Sequence, residues 1–367
     1  MKIGTMLSCG AIACCLSVGT AVAQDGPPPG MPPLPPGVLA QINLGQAGLL
    51  GSFYSNEQWG TTQGRIGQSR STIGAATAPG GSTTGYKDAS TDAVLPFSVL
   101  KALPDGNSYL RFVATLAAPN GAPNQVQQNA FNPSASLQYM TFPSVDTMVS
   151  AGAFIERADV AIAGTGTLPG TIERNGFGIR GDVLHRFTDN WGVSARAEYS
   201  VGESDLQIPA IGYSHVQGDN RFYAQTELVG TFGADDIAFM PEGWVLRPIL
   251  GANFQRNFIE ATADSFGAVS SGVVGDTEDY GMVWGSLGVQ QQAAPGQWAL
   301  NASLGLEHEY INDLNAYVDE STYVVGSVGA SMMTSDGHQV VLGYTRHQGL
   351  NGNRSNQTLL ASFNVSF

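Results

Sequence analysis

The stretch Gln357–Phe367, QTLLASFNVSF, alternates between two kinds of residue. Leu359, Ala361, Phe363, Val365 and Phe367 share one parity, and Leu360, Ser362, Asn364 and Ser366 share the other. Successive side chains of a strand point to opposite faces, so this reads as a ribbon with one apolar and one wetter side. The same period recurs upstream. In 297–310, Trp298, Leu300, Ala302, Leu304 and Leu306 oppose Gln297, Asn301, Ser303, Glu307 and Glu309. In 191–201, Trp191, Val193, Ala195, Ala197, Tyr199 and Val201 oppose Ser194, Arg196, Glu198 and Ser200.

Twelve segments of this kind can be counted: 108–118, 134–142, 147–157, 176–187, 191–201, 219–231, 243–255, 281–291, 297–310, 321–332, 338–347 and 357–367. Most are close to the ~9–11 residues that a tilted strand needs to cross a bilayer. Short connectors carrying turn residues (PDGN at 104–107, TDN at 188–190, AAPG at 293–296, TSDG at 334–337) alternate with long ones at 119–133, 158–175, 202–218, 256–280, 311–320 and 348–356. Only 232–242 is long where a short turn is expected. Short turns at one end and long loops at the other predict a closed antiparallel transmembrane β-barrel, all-β, with 12 strands.

Composition agrees. Charged residues make up 13% of the 367-residue chain and hydrophobic residues 43%. The first is about half the ~25% usual in soluble domains. Few charges without an apolar surplus is what one-by-one interleaving produces. The 16 Lys+Arg against 30 Asp+Glu exclude a general nucleic-acid binder, which needs a basic face. No run of 18 apolar residues is present, which excludes a helical span.

The N-terminus carries no such pattern. Residues 1–23 read as a signal peptide, with Lys2 at its start and the cleavage pattern Ala21-Val22-Ala23 at its end. All three cysteines, Cys9, Cys14 and Cys15, lie inside it, leaving the exported chain without a disulfide framework or thiolate metal site. Lipid attachment at Cys14 or Cys15 is the competing reading. Residues 24–91 form a Pro-, Gly- and Ser-rich segment expected to be largely disordered, with Val38–Tyr54 able to form one helix or strand. Residues 92–107 form a pre-barrel segment, either a plug or an extra strand, and 108–367 the barrel.

Charges sort with the faces. Lumen-facing positions include Arg111, Arg180, Asp182, Arg196, Glu198, Arg221, Glu227, Arg247, Glu307 and Glu309. Arg157 and Arg346 alone fall on the apolar face of the twelve segments, both at strand ends. A cation facing lipid at midplane costs ~2–4 kcal/mol and little near the interface, which matches that sorting. Trp191, Trp244 and Trp298 each open a strand after a short connector. With Phe187 and Phe367 they predict a periplasmic aromatic girdle. Setting Phe187 opposite Trp191 pairs Asp182 with Arg196 and Arg180 with Glu198, both pairs pointing inward. A soluble β-sandwich also alternates. It would not need the secretory signal, the connector alternation and the strand-end aromatics together.

The final ~260 residues resemble the C-terminal β-domain of bacterial autotransporters, a family of outer-membrane barrels in Gram-negative bacteria. The resemblance rests on the terminal Phe367 preceded by Val365, Phe363, Ala361 and Leu359, the twelve strands, and Gly-rich strands such as LGYTRHQG at 342–349. It implies a translocator role, with the N-terminal segment exported through the lumen or plugging it. It also implies a barrel-assembly signal at Phe363, Val365 and Phe367, read by the assembly machinery, and lipid and lipopolysaccharide as surroundings. Two departures stand out. No long passenger precedes the barrel. Where the family threads a helix, Asp92–Leu103 contains Pro96 and alternates like a strand, so 14 strands stay open, with 92–102 and part of 39–76 as additions.

No phosphate-binding loop, zinc-protease motif or nucleophile elbow occurs. The expectation is a non-enzyme without cofactor or metal, acting in transport. His347, level with Glu307 and Glu309, is the single cluster that acid–base work would draw on. The acidic stretches 256–280 and 311–320 could offer oxygen ligands to a divalent cation but match no known spacing, and solvated loops account for them. A porin-like channel for small polar solutes and an adhesive surface protein acting through its loops are the alternative functions.

Overall fold

A computed structural model describes residues 34–77, 88–121, 127–162, 168–334 and 338–366. The signal peptide, most of the Pro-rich spacer and Phe367 lie outside the described residues. The chain opens with three helices, α1 (Pro36–Gln46), α2 (Leu49–Ser55) and α3 (Glu57–Thr77). A run of long strands follows: β1 (Asp88–Ala102), β2 (Ser108–Gly121), β3 (Gln127–Ser144), β4 (Thr147–Ile162), β5 (Gly170–Arg186), β6 (Trp191–Ile208), β7 (Tyr213–Gly230) and β8 (Trp244–Ile259). After a two-strand flap, β9 (Thr262–Ala263) and β10 (Val269–Ser270), come β11 (Thr277–Gln291), β12 (Trp298–Asn312), β13 (Thr322–Met333), β14 (Gln339–Gly349) and β15 (Arg354–Ser366).

Thirteen of these strands close a barrel in the order β1-β15-β14-β13-β12-β11-β8-β7-β6-β5-β4-β3-β2. Neighbours are antiparallel except at the closure, where β1 pairs with β15 in parallel. This corrects the expected count of 12, and of 14 as its alternative. All twelve alternating segments are strands. The thirteenth is the pre-barrel segment, which took the strand course that its alternation suggested. An odd number of antiparallel neighbours cannot close without one parallel pair, because β1 and β15 then run in the same direction.

Residues 36–77 correct the expected disorder of 24–91, and Val38–Tyr54 is helical. The long connectors are also corrected. Strands continue through most of them, so that β5 and β6 pair out to Thr171↔Gln207 and the link to β7 shrinks to 209–212. An 18-residue strand such as β6 is roughly 60 Å long at ~3.3 Å per residue, more than a bilayer requires, so the wall projects beyond the apolar band.

The two ends differ. One, the turn end, carries the tight connectors 103–107, 145–146 and 187–190. In the first of these Gly106 takes φ +69°, a backbone conformation natural to glycine. The Asp105 carboxylate accepts the amides of Asn107 (3.2 Å) and Ser108 (3.0 Å). The Ser108 hydroxyl, together with those amides, holds the Asp105 carboxyl below the usual carboxylate range. The other, the loop end, carries the flap and the 313–321 connector. On the outside, Phe177, Ile179 and Leu304 are 65%, 67% and 63% exposed, members of a continuous apolar band. An apolar surface of that extent is unusual on a soluble monomer and ordinary on a wall facing lipid.

Candidate functional site

The interior is occupied by the helices. α1 starts at the turn end, where the Gly37 amide donates to Gly106 O at 3.2 Å and Pro36 opens the helix in the position that suits its fixed φ. Gly48 (φ +74°) turns the chain from α1 into α2, and a Cβ there would overlap the Arg247 guanidinium. Ala40, Leu44, Leu49, Leu50, Phe53 and Tyr54 from α1 and α2 are buried. They pack against inward-facing Leu100, Tyr109, Val113, Met140, Met148, Leu184 and Val229 of the wall. The lumen at this level is filled by apolar side chains, which departs from the expectation of a polar interior throughout. Its signal in the sequence was a local loss of alternation, with apolar residues on both parities in stretches such as Tyr139–Phe142 and Val183–Leu184.

Above this stopper, α3 runs toward the loop end through largely polar surroundings, with Ile66 and Ile73 packed against Tyr280, Met282, Trp284 and Leu314 on one side. Its sequence is rich in Gly, Ser, Thr and Gln, weak helix formers apart from Gln. Inside the barrel the main chain finds its partners within the helix, and the side chains find theirs on the wall. Thr62 Oγ1 and Ser71 Oγ return to carbonyls of Gln58 and Gly67, both at 2.9 Å. Asn253 donates to Thr62 at 3.0 Å, and Gln63 donates to Gln255 at 2.5 Å. Arg65 is the central anchor. It bonds Glu307, lies 3.6 Å from Glu309, and sits 3.7 Å above the Tyr323 ring. Arg70 reaches Asp219 (3.2 Å) and Glu278 (2.8 Å from Nε) near the loop end. Arg354, at the start of β15, donates to Ser69 at 3.2 Å.

The ten charges assigned to the lumen take the following places. Asp182 stands opposite Arg196, and Arg180 opposite Glu198, in the β5–β6 register. Arg196 Nε lies 3.1 Å from Asp182, while Arg180 prefers Asp182 on its own strand (2.8 Å) to Glu198 (3.7 Å). Both arginines also donate to the side-chain Oδ1 of Asn56, the residue that precedes α3, Arg196 at 2.6 Å and Arg180 at 3.3 Å. Arg111 is buried, donates to Gln138 at 2.8 Å, and stacks over Phe53 and Tyr54 of α2 at 4.7 and 4.4 Å. Arg221 joins Glu156 (2.8 Å) to Gln63 (3.1 Å). Glu227 accepts from Ser194 at 3.5 Å, and Arg247 donates to Thr231 (2.9 Å) and Gln290 (2.8 Å). Glu307 and Glu309 hold Arg65, and His347 Nε2 lies 3.5 Å from Glu307. The histidine and both carboxylates thus come together, but around an arginine of the helix and not around an open substrate position.

Of the expected girdle, Phe187 and Trp298 are 52% and 44% exposed, and Trp191 and Trp244 are half-buried, all at the turn end. Trp191 stands edge-on to Phe232 at 5.5 Å. Phe363 and Val365 lie on β15 with outward parity. Arg157, outside the barrel, pairs with Asp159 and Glu173 at 2.7 and 3.2 Å.

Sequence reasoning missed Arg65, Arg70, Arg174 and Glu278. The first two lie in the stretch read as disordered. Arg174, which ties Glu156 (2.6 Å) to Asp219 (3.2 Å), and Glu278 lie in stretches read as loops. One signal was available: two arginines five residues apart in a segment whose nearest downstream acid is Asp88. Such cations call for a partner elsewhere in the chain. The acidic stretches are likewise internal to the fold. Asp279 pairs with Arg256 at 2.6 Å, and Glu320 accepts the amides of Asn351 and Asn353 at 3.2 and 3.1 Å. Among the described residues no group of acids and histidines is arranged to hold a metal ion.

No family model and no curated protein matches this sequence. Among solved structures the chain is similar to the translocator domain of the autotransporter NalP from Neisseria meningitidis, at 13% identity and a TM-score of 0.44, over 60% of this chain and 76% of that one. It is also similar to the β-domain of the Bordetella autotransporter BrkA, at 12% identity and a TM-score of 0.48, over 70% and 96%. A FadL homologue of Pseudomonas aeruginosa matches at 10% identity and a TM-score of 0.42, over 74% of each chain.

Proposed function

We propose that this protein is an outer-membrane transport barrel whose own N-terminal helices plug the lumen, so that solutes pass beside or upon movement of α3. The observation that carries the reading is the fit of α1–α3 to the inner wall: an apolar stopper at the turn end, and above it Arg65 held between Glu307 and Glu309. A segment merely in transit through a pore would not be matched charge for charge by the wall. The apolar outer band, the strand lengths and the aromatic residues at one rim support a membrane setting, with lipid and lipopolysaccharide outside and the C-terminal strand as the feature that assembly machinery reads. The short connectors favour a periplasmic turn end. The proposed role is non-enzymatic.

Of the two fates open to the N-terminal segment, plugging is favoured over export by the direction of the chain. α1 begins beside Gly106 at the turn end, and α3 climbs to Ser69 and Arg70 at the loop end before β1 descends. The segment therefore enters from the periplasmic side. Single cysteines in a chain lacking Cys9, Cys14 and Cys15 test this. Val269→Cys on the flap should react with a membrane-impermeant maleimide on intact cells. Leu34→Cys should react only after the outer membrane is permeabilised. Labelling of Leu34→Cys on intact cells would show export and end the plug reading.

A further inference from the structure

α3 does not fill the lumen evenly. Thr62, Arg65, Ile66, Ser69, Thr72 and Ile73 are buried and, at 100° per residue, share one side of the helix. The wall on that side is buried too. Arg221, Asn253, Gln255, Tyr280, Glu307 and Tyr323, from β7 round to β13, are each at most 5% exposed. The opposite side of the helix carries Glu57, Gly60, Thr61, Gly64, Gly67 and Gln68. Glu57 and Gly60 are exposed and the other four are half-buried, although all six lie within a closed barrel. A Cβ built on Gly60 or Gly64 has no atom within 4 Å.

Register identifies the wall that this open side faces. The Glu57 carboxylate accepts from Thr345 on β14 at 3.3 Å, Thr345 pairs with Thr358, and Thr358 pairs with Asp92 on β1. α3 climbs from that level toward the loop end, so Gly60 and Gly64 pass Asn356 and Ser90, the next inward pair. Inward-facing Ser90, Asp92, Thr115, Ala117, Asn132 and Ser134 of β1, β2 and β3 are all half-buried. Water therefore reaches both surfaces, and a cleft separates them. Toward the turn end it stops at Val113, the next inward residue after Thr115 and part of the apolar stopper. Two carboxylates border the cleft at one level, Glu57 beside β14 and Asp92 on β1, roughly 10 Å apart at two strand spacings. Asp92 accepts from Asn356 at 2.7 Å through Oδ2, and its Oδ1 has no partner among the described residues. The cations at this level are withdrawn or matched. Arg65, Arg221 and Arg354 are buried, and Arg70 and Arg174 both pair with Asp219. His347 is buried beside Glu307.

We infer that the cleft between α3 and β1–β3 is a vestibule that admits small cationic solutes in preference to anionic ones, entered from the loop end and closed at the turn end by α1 and α2. The inference rests on the plugged-barrel reading and names the solute class that it takes. A lining of glycine, hydroxyls and one amide leaves the charges of Glu57 and Asp92 to set the sign of the potential there. The side-chain oxygens of Thr115, Ser134 and Asn356 offer acceptors to the N–H groups of an ammonium solute. The glycines keep the passage wide: a longer side chain at Gly60 or Gly64 would project into it.

The test uses the full chain without Cys9, Cys14 and Cys15, purified in detergent at pH 8 and low salt. Single cysteines at Gly64→Cys on α3 and Thr115→Cys on β2 are reacted with two methanethiosulfonates of similar size, one carrying a trimethylammonium group and one a sulfonate. Val269→Cys on the exposed flap gives the reference ratio of the two rates. Both vestibule cysteines should react, with a cation-to-anion ratio roughly tenfold above that of the flap, the effect of two negative charges ~10 Å away in water. Glu57→Gln or Asp92→Asn should each remove part of that preference, and the double variant nearly all of it. Should either variant fail to fold, 1 M salt on the unaltered carboxylates should collapse the ratio toward the flap value. Thr62→Cys, on the packed side, should stay unreactive. Unreactive cysteines at both Gly64 and Thr115 would show that no vestibule exists. A ratio equal to that of the flap, or one unmoved by neutralisation and by salt, would overturn the preference for cations. Thr62→Cys reacting as fast as Gly64→Cys would show that α3 is not docked, which overturns the plugged-barrel reading itself and the inference with it.

Discussion

Replacing Arg65 with methionine should loosen α3 and open the lumen. Arg65 is 4% exposed, and its Glu307 partner is 3% exposed. Removing the arginine leaves Glu307 and Glu309 in the same enclosure, with His347 3.5 Å from Glu307 and with neutral donors Gln58, Tyr280 and Asn312 as their other partners. Breaking a buried pair by deleting one member costs ~3–5 kcal/mol, most of it the stranded charge. At 1.4 kcal/mol per factor of ten, the undocked population of α3 rises by roughly 10² to a few times 10³. The apolar stopper of α1 and α2 is untouched, so the change is confined to the upper lumen. Two measurements read it: amide exchange of residues 57–77 in detergent, and the frequency of open events in planar bilayers. Adding Glu307→Gln to Arg65→Met should recover part of the loss, because the stranded charge is gone, giving a favourable coupling in the double-mutant cycle. Wild-type exchange and wild-type conductance in Arg65→Met would refute the reasoning. So would a double variant as leaky as the sum of the two single ones.

Phe53→Ala should destabilise the stopper by ~3–5 kcal/mol, the usual cost of truncating a buried phenylalanine. It also removes the ring beneath Arg111 and Arg180, and the check is a lowered heat-unfolding midpoint together with new conductance. Ile179→Arg, at a position 67% exposed in the outer band, should cost ~2–4 kcal/mol in a bilayer. The same change in a zwitterionic detergent should cost much less, so equal losses in both media would argue against lipid at that face.

Much of the wall was legible because a period of two survives wherever one face meets lipid and the other meets water. Asp182, Arg196, Arg180 and Glu198 could be paired from the Phe187–Trp191 turn alone, since a tight hairpin fixes register for every residue behind it. The strand ends were not legible. Past the bilayer both faces meet water, alternation stops, and yet the ladder continues, as it does for β6 and β7 up to Ile208 and Tyr213. The helices were hidden for a different reason. α3 carries only a thin apolar stripe, of which Ile66 and Ile73 meet Tyr280, Met282, Trp284 and Leu314, because the rest of the surface it packs against is polar, and the complement of its Arg65 and Arg70 lies more than 140 residues away in sequence. Only a pairing across that distance identifies the segment as structured.

The odd strand count and the helix are one fact seen twice. Pro36 lies at the turn end, and β15 also finishes there at Ser366. Between them the chain must cross the barrel an even number of times, and thirteen strands leave one crossing unassigned. α3 makes it. A fourteenth strand would have given an all-antiparallel closure with a complete ladder. Residues 57–77 cannot supply one: Trp59, Ile66 and Ile73 are the large apolar residues of that stretch, seven apart, and no alternating set exists to face lipid. A crossing segment without an apolar face is excluded from the wall and accepted in the interior, where its backbone must satisfy itself as a helix. The composition of 57–77 thus sets the parity of the barrel. That parity requires a parallel seam, and it is in that seam that Pro96 interrupts the ladder.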